Sequence, residues 1–425
     1  MMAIPLPKAP KVVFVNRYFS PDQSATSQLL TDLAHALADA ALEVHVICSR
    51  QCYSDARARL ASTESIGGVA VHRVWSSSFG RNRLLGRAFD YATFFVSSSI
   101  AMLRLLDRGD TLVAKTDPPL ISIPAMMAAK LRGAQLINWL QDIFPEVASA
   151  LGLNPLPRPF NALLRRWRNM SLRSAQLNIV LGARMRAYLQ TLGIVPEKIR
   201  VIENWAELDP QAPKPADASA LRARLGLAGK FVVGYSGNLG RAHEFLTLLD
   251  AAEKLRCDPQ IVFLMIGGGA GMEQLARLAA ARRLQNFCFL PYQPRTALAD
   301  ALAAADVHWM SLMPALEGLI VPSKFYGVLA AGRPVLFIGD PQGEVAREIR
   351  ARGCGATVAI NESEQLASLL RVWKSDPAQR EAMGQCGHEL YNERFRARIA
   401  FDQWKSILIP SIPVVGAALP IPSRR

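Results

Sequence analysis

The chain has 425 residues, of which 50% are hydrophobic, and a formal net charge of +14. Its length predicts two domains, and the absence of any run of about 20 apolar residues argues against a membrane-spanning helix. Its six cysteines form no C-x-x-C pair and have no histidine cluster beside them, which argues against a disulfide framework or a zinc site and favours reduced thiols in the cytosol. The basic excess favours a phosphate-bearing partner, such as an anionic lipid or a phosphorylated substrate.

The first half of the chain alternates between strand and helix patterns. Strands are predicted at 11–16, 43–48, 69–74, 111–114, 135–139, 177–181 and 199–202. Helices are predicted at 26–38, 86–106, 124–132, 159–174 and 183–192. This alternation is typical of a doubly wound parallel sheet.

After a proline-containing linker from 207 to 230, the alternation starts again. Strands are predicted at 231–235, 261–266, 287–290, 307–310 and 334–337, and helices at 245–255, 272–282, 295–305, 323–331, 344–350, 363–373 and 377–407. We therefore predict an α/β protein of two Rossmann-like lobes, 1–205 and 206–390, that face a cleft. A helix in 391–409 is expected to cross back to the first lobe, and 410–425 is expected to form a proline-rich tail.

Two glycine turns follow strands of the second lobe, where ligands of open α/β sheets bind. The first contains Gly237, Asn238, Arg241 and His243, and its glycines would let backbone amides approach an anion at a helix start. The second, 267–271, contains Gly268. It lacks the glycine spacing of a dinucleotide fingerprint, so it favours a turn beside a bound nucleotide over a nicotinamide site.

The run from Glu317 to Lys324 combines an acidic loop, Pro322, and Ser323 at a predicted helix start. The amides of that helix would face the cleft, and a lysine in the first turn is mildly disfavoured by the helix dipole. A bound diphosphate would reverse this penalty. A carboxylate at Glu317 would accept hydrogen bonds from sugar hydroxyls.

These motifs resemble glycosyltransferase family 4, with the GT-B fold, and within it the bacterial exopolysaccharide, O-antigen and colanic-acid branch. The resemblance covers about residues 10–407. Its marks in the first lobe are FVNRYFSPDQSATSQLLTDLAHAL, WLQDIFPE and VIENWAE. Its marks in the second are GYSGNLGRAHE, EGLIVPSK and AAGRPVLF.

The resemblance implies that Glu317 contacts the donor sugar, as the first glutamate of an E-x7-E signature. The second glutamate, which binds the ribose, is absent: residue 325 is Phe, and residue 327, used by a related P-S-K variant, is Gly. Glu344 is the predicted substitute. Arg241 and Lys324 are expected to share the diphosphate, and no metal or other cofactor is expected because no D-x-D motif is present.

On the acceptor side, the proton of the acceptor hydroxyl is predicted to pass either to the donor phosphate or to a carboxylate, for which Asp142 is the candidate. A helix-capping or loop-bracing role is the alternative for Asp142. Ser24 and Thr26 at a helix start, together with Asn204, are predicted to bind the acceptor, although Thr26 alone would also suit an N-cap. The resemblance implies retention of anomeric configuration and transfer from a nucleoside diphosphate sugar, most readily a UDP-sugar, to a polyprenyl-diphosphate-linked or growing glycan.

The first lobe also carries a basic, apolar stretch that would suit the inner face of an anionic membrane, or equally a helix packed on a sheet. Its arginines are Arg158, Arg165, Arg166, Arg168, Arg173, Arg184 and Arg186. A UDP-sugar epimerase or hydrolase of the same fold stays open as the alternative function. Nucleic acid is not an expected partner, because no aromatic–basic RNA motif or recognition helix is present.

Overall fold

The computed structural model describes residues 10–53, 55, 58–79, 84–153, 157–206 and 215–409. The tail predicted at 410–425 and part of the predicted linker lie outside this set. None of the helices in the described ranges is both long and apolar enough to cross a bilayer.

The first lobe contains an eight-stranded sheet with the order β3-β4-β2-β1-β5-β6-β7-β8. Its strands are β1 (Val12–Val15), β2 (Val44–Ser49), β3 (Thr63–Ile66), β4 (Val69–Val74), β5 (Thr111–Lys115), β6 (Gln135–Trp139), β7 (Leu177–Val180) and β8 (Ile199–Val201). All neighbours are parallel except β3 and β4. Four consecutive buried apolar residues in β1 fit a central strand covered on both faces.

The helices of the first lobe cover the two faces of this sheet. They are α1 (Ala25–Asp39), α2 (Leu84–Leu105), α3 (Ser122–Arg132), α4 (Glu146–Ala150), α5 (Arg158–Ser174) and α6 (Ala183–Thr191). One core contains Leu33 of α1 and Val46 of β2, and another contains Phe94 of α2 and Ile47 of β2. Side chains that alternate along β2 therefore enter opposite cores, as the pleat of a strand requires.

The second lobe contains a six-stranded parallel sheet with the order β11-β10-β9-β12-β13-β14. Its strands are β9 (Phe231–Asn238), β10 (Ile261–Gly268), β11 (Phe287–Leu290), β12 (Val307–Ser311), β13 (Val335–Ile338) and β14 (Gly355–Val358). Its helices are α7 (Ala220–Arg224), α8 (Leu246–Lys254), α9 (Ala270–Ala281), α10 (Leu298–Ala303), α11 (Lys324–Ala330), α12 (Glu344–Arg352), α13 (Ser363–Ser375) and α14 (Pro377–Leu390). The predicted fold class, two parallel-sheet α/β lobes, is confirmed.

The structure corrects three element predictions. The sequence does not predict the edge strands β3 and β14, because the first is largely polar and partly exposed and the second is short and begins with glycine. The single helix predicted over 377–407 is divided: α14 passes into a π-turn at Tyr391–Phe395, and α15 (Ala397–Leu408) follows. Extended backbone at Arg396 separates them.

This break sends the end of the chain from the second lobe to the first. Trp404 of α15 is fully buried and packs edge-on against Trp139 of β6, with ring centroids 4.9 Å apart. A further buried cluster joins the lobes, with Ile143 on one side and Leu319 on the other. The amide of Ile143 donates to the carbonyl of Leu319 at 3.0 Å, so the base of the cleft is a shared core.

Candidate active site

A cavity of about 220 Å³ lies in the cleft between the lobes. From the first lobe it is lined by one face of α1, including Gln28 and Asp32, and by Trp205. From the second lobe it is lined by the end of β9 and by the first turns of α11, including Lys324. The cavity thus lies beyond the carboxyl ends of strands, where the parallel sheets of this class bind ligands.

Lys324, the first residue of α11, places a positive charge at the wall of the cleft cavity. Its ammonium donates to the carbonyl oxygen of Asn238 at 3.1 Å and lies 5.2 Å from the ring centroid of Tyr235. Burial lowers the pKa of Lys324 to about 8. No ion pair between Lys324 and a carboxylate is formed within the described ranges, so this positive charge is not neutralised by the protein there.

His243 lies beside Lys324 as a neutral group. Its Nδ1 lies 2.7 Å from the carbonyl oxygen of Ser311, which can only accept, so Nδ1 carries the proton. Its Nε2 is then an acceptor, 3.4 Å from the ammonium of Lys324. Burial, together with the charge of Lys324, lowers the pKa of His243 to about 3. His243 therefore orients the ammonium and adds no charge at neutral pH.

The glycines of the two predicted turns belong instead to paired strands: Gly237 lies near the end of β9, and Gly268 is the last residue of β10. The amide of Leu239 donates to the carbonyl of Gly268 at 2.8 Å. Gly237 has φ of 133°, and a Cβ there would lie 2.7 Å from Cε of Lys324. A side chain at 237 would displace Lys324, so the end of β9 needs glycine here both for its positive φ and for its contact with Lys324.

Glu317 lies where the loop after β12 meets the start of α12. Its Oε2 accepts a hydrogen bond from the amide of Glu344 at 3.0 Å. Its Oε1 is buried and has no hydrogen-bond partner among the described residues. Burial raises the pKa of Glu317. A buried acceptor of this kind is costly unless it receives a donor, and a sugar hydroxyl is one.

Glu344 binds the other lobe instead of facing the cavity. Its Oε1 accepts from the amide of Ala183 at 3.1 Å and its Oε2 from the amide of Arg184 at 2.7 Å. These amides begin α6, so the carboxylate caps a helix of the first lobe and is favoured by its dipole. Glu344 therefore supports the contact between lobes, and because it does not line the cleft cavity it is poorly placed for the ribose role predicted for it.

Asp142 also lies at the junction of the lobes. Its backbone forms an antiparallel bridge with Ile320, and its side chain lines a small cavity of about 20 Å³ with Thr116. Its Oδ1 is buried and unbonded among the described residues. Burial, reinforced by the charge of Asp117, raises the pKa of Asp142 to about 7, which suits a proton acceptor near neutral pH.

The predicted acceptor residues bond to the protein itself. The backbone N and Oγ of Ser24 both donate to Oδ1 of Asp22, at 2.8 and 2.5 Å. Thr26 lies inside α1, and its Oγ1 is 3.4 Å from Oδ2 of Asp117. Asn204 is buried and exchanges two amide hydrogen bonds with Gln141, at 3.1 and 2.8 Å.

The N-cap role suggested for Thr26 is wrong, because α1 begins at Ala25 and Thr26 lies within the helix. Neither α1 nor α11 receives a side-chain cap, although Ser24 and Ser323 occupy the two N-cap positions. Ser323 instead lines the cleft cavity, and Pro322 is buried just before it. Arg241 is exposed in the turn after β9, whereas Lys324 is half-buried.

Sequence reasoning missed two residues of the cleft, Asp32 and Arg295. Their side chains line the cavity from opposite lobes and form an ion pair with an Nη2–Oδ1 distance of 3.4 Å. Each has the pattern of an ordinary polar position on an amphipathic element, so no local signal marks them.

Family models match both lobes: a glycosyl transferase 4-like domain matches residues 25–205, and a glycosyl transferases group 1 domain matches residues 217–389. The chain is 28% identical, over 68% of its length and 72% of the relative, to the probable glycosyltransferase WbjE of Pseudomonas aeruginosa. It is 27% identical, over 62% of its length and 66% of the relative, to the putative colanic acid biosynthesis glycosyl transferase WcaI of Escherichia coli (strain K12).

Two solved structures share the fold over nearly the whole chain. The crystal structure of Anabaena Alr3699/HepE in complex with UDP and glucose has a TM-score of 0.70 and 18% identity, over 94% of this chain and 99% of that one. WaaG, a glycosyltransferase involved in lipopolysaccharide biosynthesis, has a TM-score of 0.66 and 15% identity, over 94% of this chain and 100% of that one. With its two-lobed architecture and both matched domains, the chain belongs to glycosyltransferase family 4 and is an enzyme of the GT-B fold.

Proposed function

We propose that this glycosyltransferase moves a sugar from a UDP-sugar to a lipid-linked or growing glycan in the synthesis of a cell-surface polysaccharide, with retention of anomeric configuration. The lipid carrier is a polyprenyl diphosphate. The similarity to a relative named for colanic acid biosynthesis supports the acceptor class. The fold shared with a structure that holds UDP and glucose supports the donor class.

The observation that carries the proposal is the unneutralised ammonium of Lys324 beside the glycine turn at Gly237 and Asn238. A diphosphate at this position would supply the missing negative charge. As the bond between sugar and phosphate breaks, negative charge accumulates on the leaving diphosphate. A fixed cation stabilises that charge more strongly in the transition state than in the ground state, which is how electrostatic preorganisation accelerates a reaction.

Glu317 is proposed to hold the sugar. Its Oε2 is fixed by the amide of Glu344, so the carboxylate keeps one orientation. Its Oε1 is left to accept from a hydroxyl of the donor sugar.

The acceptor hydroxyl must lose a proton when it attacks, and Asp142 is proposed to take it. An ionised Asp142 would be a base matched to neutral pH, since its pKa is raised to about 7. The donor diphosphate is the other possible proton acceptor. Ser24 and Thr26 are still proposed to line the acceptor site, with the buried Asn204 supporting it through its hydrogen bonds to Gln141.

No metal is proposed for this reaction. In many phosphate-transferring sites a divalent cation neutralises the diphosphate. Here that charge would be met by Lys324 and by backbone amides of the glycine turns, and the sequence has no D-x-D motif.

The enzyme is proposed to work on the cytoplasmic face of a membrane, through a surface formed by α2, α3 and α5. These helices are neighbours, since α3 packs against both of the others. Large apolar side chains are exposed on all three: Phe89, Val96, Ile100, Met127, Leu131, Phe160, Leu163, Trp167 and Met170. Exposed apolar area of this extent marks an interaction site.

The charges around this surface favour an anionic lipid. Arg158, Arg165, Arg166 and Arg173 are exposed on α5, and basic residues beside apolar ones attract acidic headgroups. Two of the arginines that the sequence predicts for the membrane-facing stretch form ion pairs within the protein instead. Arg168 is buried and donates to Glu146 at 2.6 Å, and Arg184 lies 3.7 Å from Asp340 of the other lobe.

A nucleotide-sugar panel tests the proposal. Because ligand at about 100 times its Kd stabilises a protein by about 2.7 kcal/mol, a UDP-sugar should raise the Tm by on the order of 5 °C or more. Sugars on other nucleotides should have smaller effects. If no nucleoside diphosphate sugar stabilises the wild-type protein, the proposal is wrong.

A second assay separates transfer from the alternative chemistry. Labelled UDP-sugar is incubated with the protein alone, then with an extract of lipid-linked glycan. Transfer requires the extract, and the anomeric configuration of the product, measured by NMR, should equal that of the donor. Free sugar or an epimerised donor formed rapidly without acceptor would instead indicate a hydrolase or an epimerase.

A further inference from the structure

An ion pair connects the two lobes across the cleft cavity. Asp32 lies on α1 of the first lobe, and Arg295 lies in the 3-10 turn that precedes α10 of the second. The Nη2 atom of Arg295 is 3.4 Å from each carboxylate oxygen of Asp32. The side chain of Asp32 is 12% exposed and that of Arg295 is 43% exposed.

Asp32 is the only carboxylate among the described residues that line this cavity. The second lobe contributes Ser236, Ser323 and Lys324 to the wall, and at the next turn of α11 it contributes Gly327, which has no side chain. An acidic group for this cavity is therefore provided by the opposite lobe. Glu344 does not supply this group, because it lies outside the cavity and binds the start of α6.

We infer that Asp32 binds the ribose of the donor nucleotide by accepting hydrogen bonds from its two neighbouring hydroxyls. The inference rests on the proposed UDP-sugar function. A carboxylate has two acceptor oxygens, which match the two donors of a vicinal diol. In a nucleoside diphosphate the ribose lies next to the diphosphate, and Lys324 lines the same cavity as Asp32.

The size of the cavity and the position of Arg295 agree with this role. Whole-ligand pockets measure about 300–1,000 Å³, so about 220 Å³ has room for part of a nucleotide. Arg295 contacts both oxygens, which orients the carboxylate and offsets its repulsion of the nearby diphosphate. A donor nucleotide held by Lys324 and Asp32 would contact both lobes, so its tight binding would require both side chains.

The test compares UDP with 2′,3′-dideoxy-UDP by calorimetry on the wild-type protein and on Asp32→Ala. Asp39→Asn is the control, because Asp39 is an exposed carboxylate on the same helix. Wild type and control should bind UDP on the order of ten- to a hundredfold more tightly than the dideoxy compound, as expected for hydrogen bonds to a charged group. Asp32→Ala should lose most of this preference and bind UDP more weakly by a similar factor.

Three outcomes would overturn the inference. The first is an Asp32→Ala protein that keeps the wild-type preference for UDP. The second is equal weakening of both nucleotides, which would mean that the ion pair only holds the lobes together. The third is a wild-type protein that binds both nucleotides equally well. In each of these cases UDP still binds to the wild type, whereas failure of UDP to bind would contradict the proposed function itself.

Discussion

The ammonium of Lys324 and Nε2 of His243 lie 3.4 Å apart, and the two side chains carry different charges at neutral pH. Burial lowers the pKa of both, to about 8 for Lys324 and about 3 for His243. At neutral pH the lysine is therefore charged and the histidine is neutral. The neutral histidine therefore orients the charged ammonium of Lys324 beside Gly237 and Asn238 of the second lobe.

Removing the charge of Lys324 should weaken ligand binding without lowering the stability of the unliganded protein. For Lys324→Met we expect kcat/KM to fall on the order of 10²- to 10³-fold and UDP affinity to fall about 10- to 100-fold. The free energy of unfolding without ligand should be equal or higher, because a desolvated charge is removed. Chemical unfolding and calorimetry measure both effects. The control Lys254→Met removes an exposed lysine of the same lobe, and a comparable loss of UDP affinity there would contradict the role of Lys324.

The same lysine predicts how nucleotide binding depends on pH. Above about pH 8 the unliganded Lys324 loses its proton, so the Kd for UDP should rise by up to tenfold per pH unit until the pKa of the complex is reached. The terminal phosphate, with a pKa near 6, is already ionised at pH 7.5. Calorimetry from pH 7.5 to about 9, below the titration of the uracil N3–H, measures the change. In Lys324→Arg the charge persists, and a rise of the same size in that variant would assign the effect to another group.

Glu317→Gln should affect the sugar and spare the nucleotide. The glutamine oxygen can still accept from the amide of Glu344, so the loop should keep its structure. We expect UDP to bind as it does to the wild type. The affinity for UDP-sugar should fall about tenfold or more, because hydrogen bonds to a charged acceptor are the stronger ones. Glu381→Gln, at an exposed position of α14, is the control. Equal losses for UDP and UDP-sugar would place Glu317 on the nucleotide instead.

Asp142 should have a pH-dependent effect on both activity and stability. Its folded pKa of about 7 is above its usual value of 3.8. Its contribution to stability is therefore fully present below pH 4 and is lost as the pH rises through about 7. Relative to the wild type, Asp142→Asn should gain stability at pH 8 by on the order of 1–4 kcal/mol, as measured by urea unfolding at pH 4.5 and 8.

In the same variant, activity should fall on the order of 10²- to 10⁴-fold if Asp142 is the proton acceptor. The acidic limb of the wild-type profile of kcat/KM, expected near pH 7, should disappear. A variant that is more stable and equally active would show that Asp142 only braces the loop. Asp39→Asn again provides the matched change of charge on the surface.

The surface of α2, α3 and α5 should bind anionic vesicles. Leu163→Asp should reduce sedimentation with phosphatidylglycerol vesicles several-fold, because it removes apolar area and adds a charge that the headgroups repel. Val372→Asp is the control, since Val372 is an exposed apolar residue on α13 of the other lobe. Equal binding by both variants would contradict the assignment of this surface, and so would binding of the wild type to neutral vesicles alone.

Many features of this enzyme follow from local patterns in the sequence. The period of buried residues in β1 and α1 predicts a strand and a helix, because burial repeats with the backbone geometry of each. The turn at Gly237 and the run from Glu317 to Lys324 could be located because each follows a strand of a parallel sheet. The family resemblance rests on the same local motifs.

Contacts between distant segments could not be read in this way. Lys324 meets His243 across 81 residues, and Arg295 meets Asp32 across 263. Glu344 is the ribose ligand predicted from the sequence, yet folding places its carboxylate on the amides that begin α6. The sequence by itself determined the two sheets, the glycine turns and the family, since backbone preference and burial act between near neighbours. Only the tertiary structure decided which side chains share the cleft, because that depends on how the two lobes pack together.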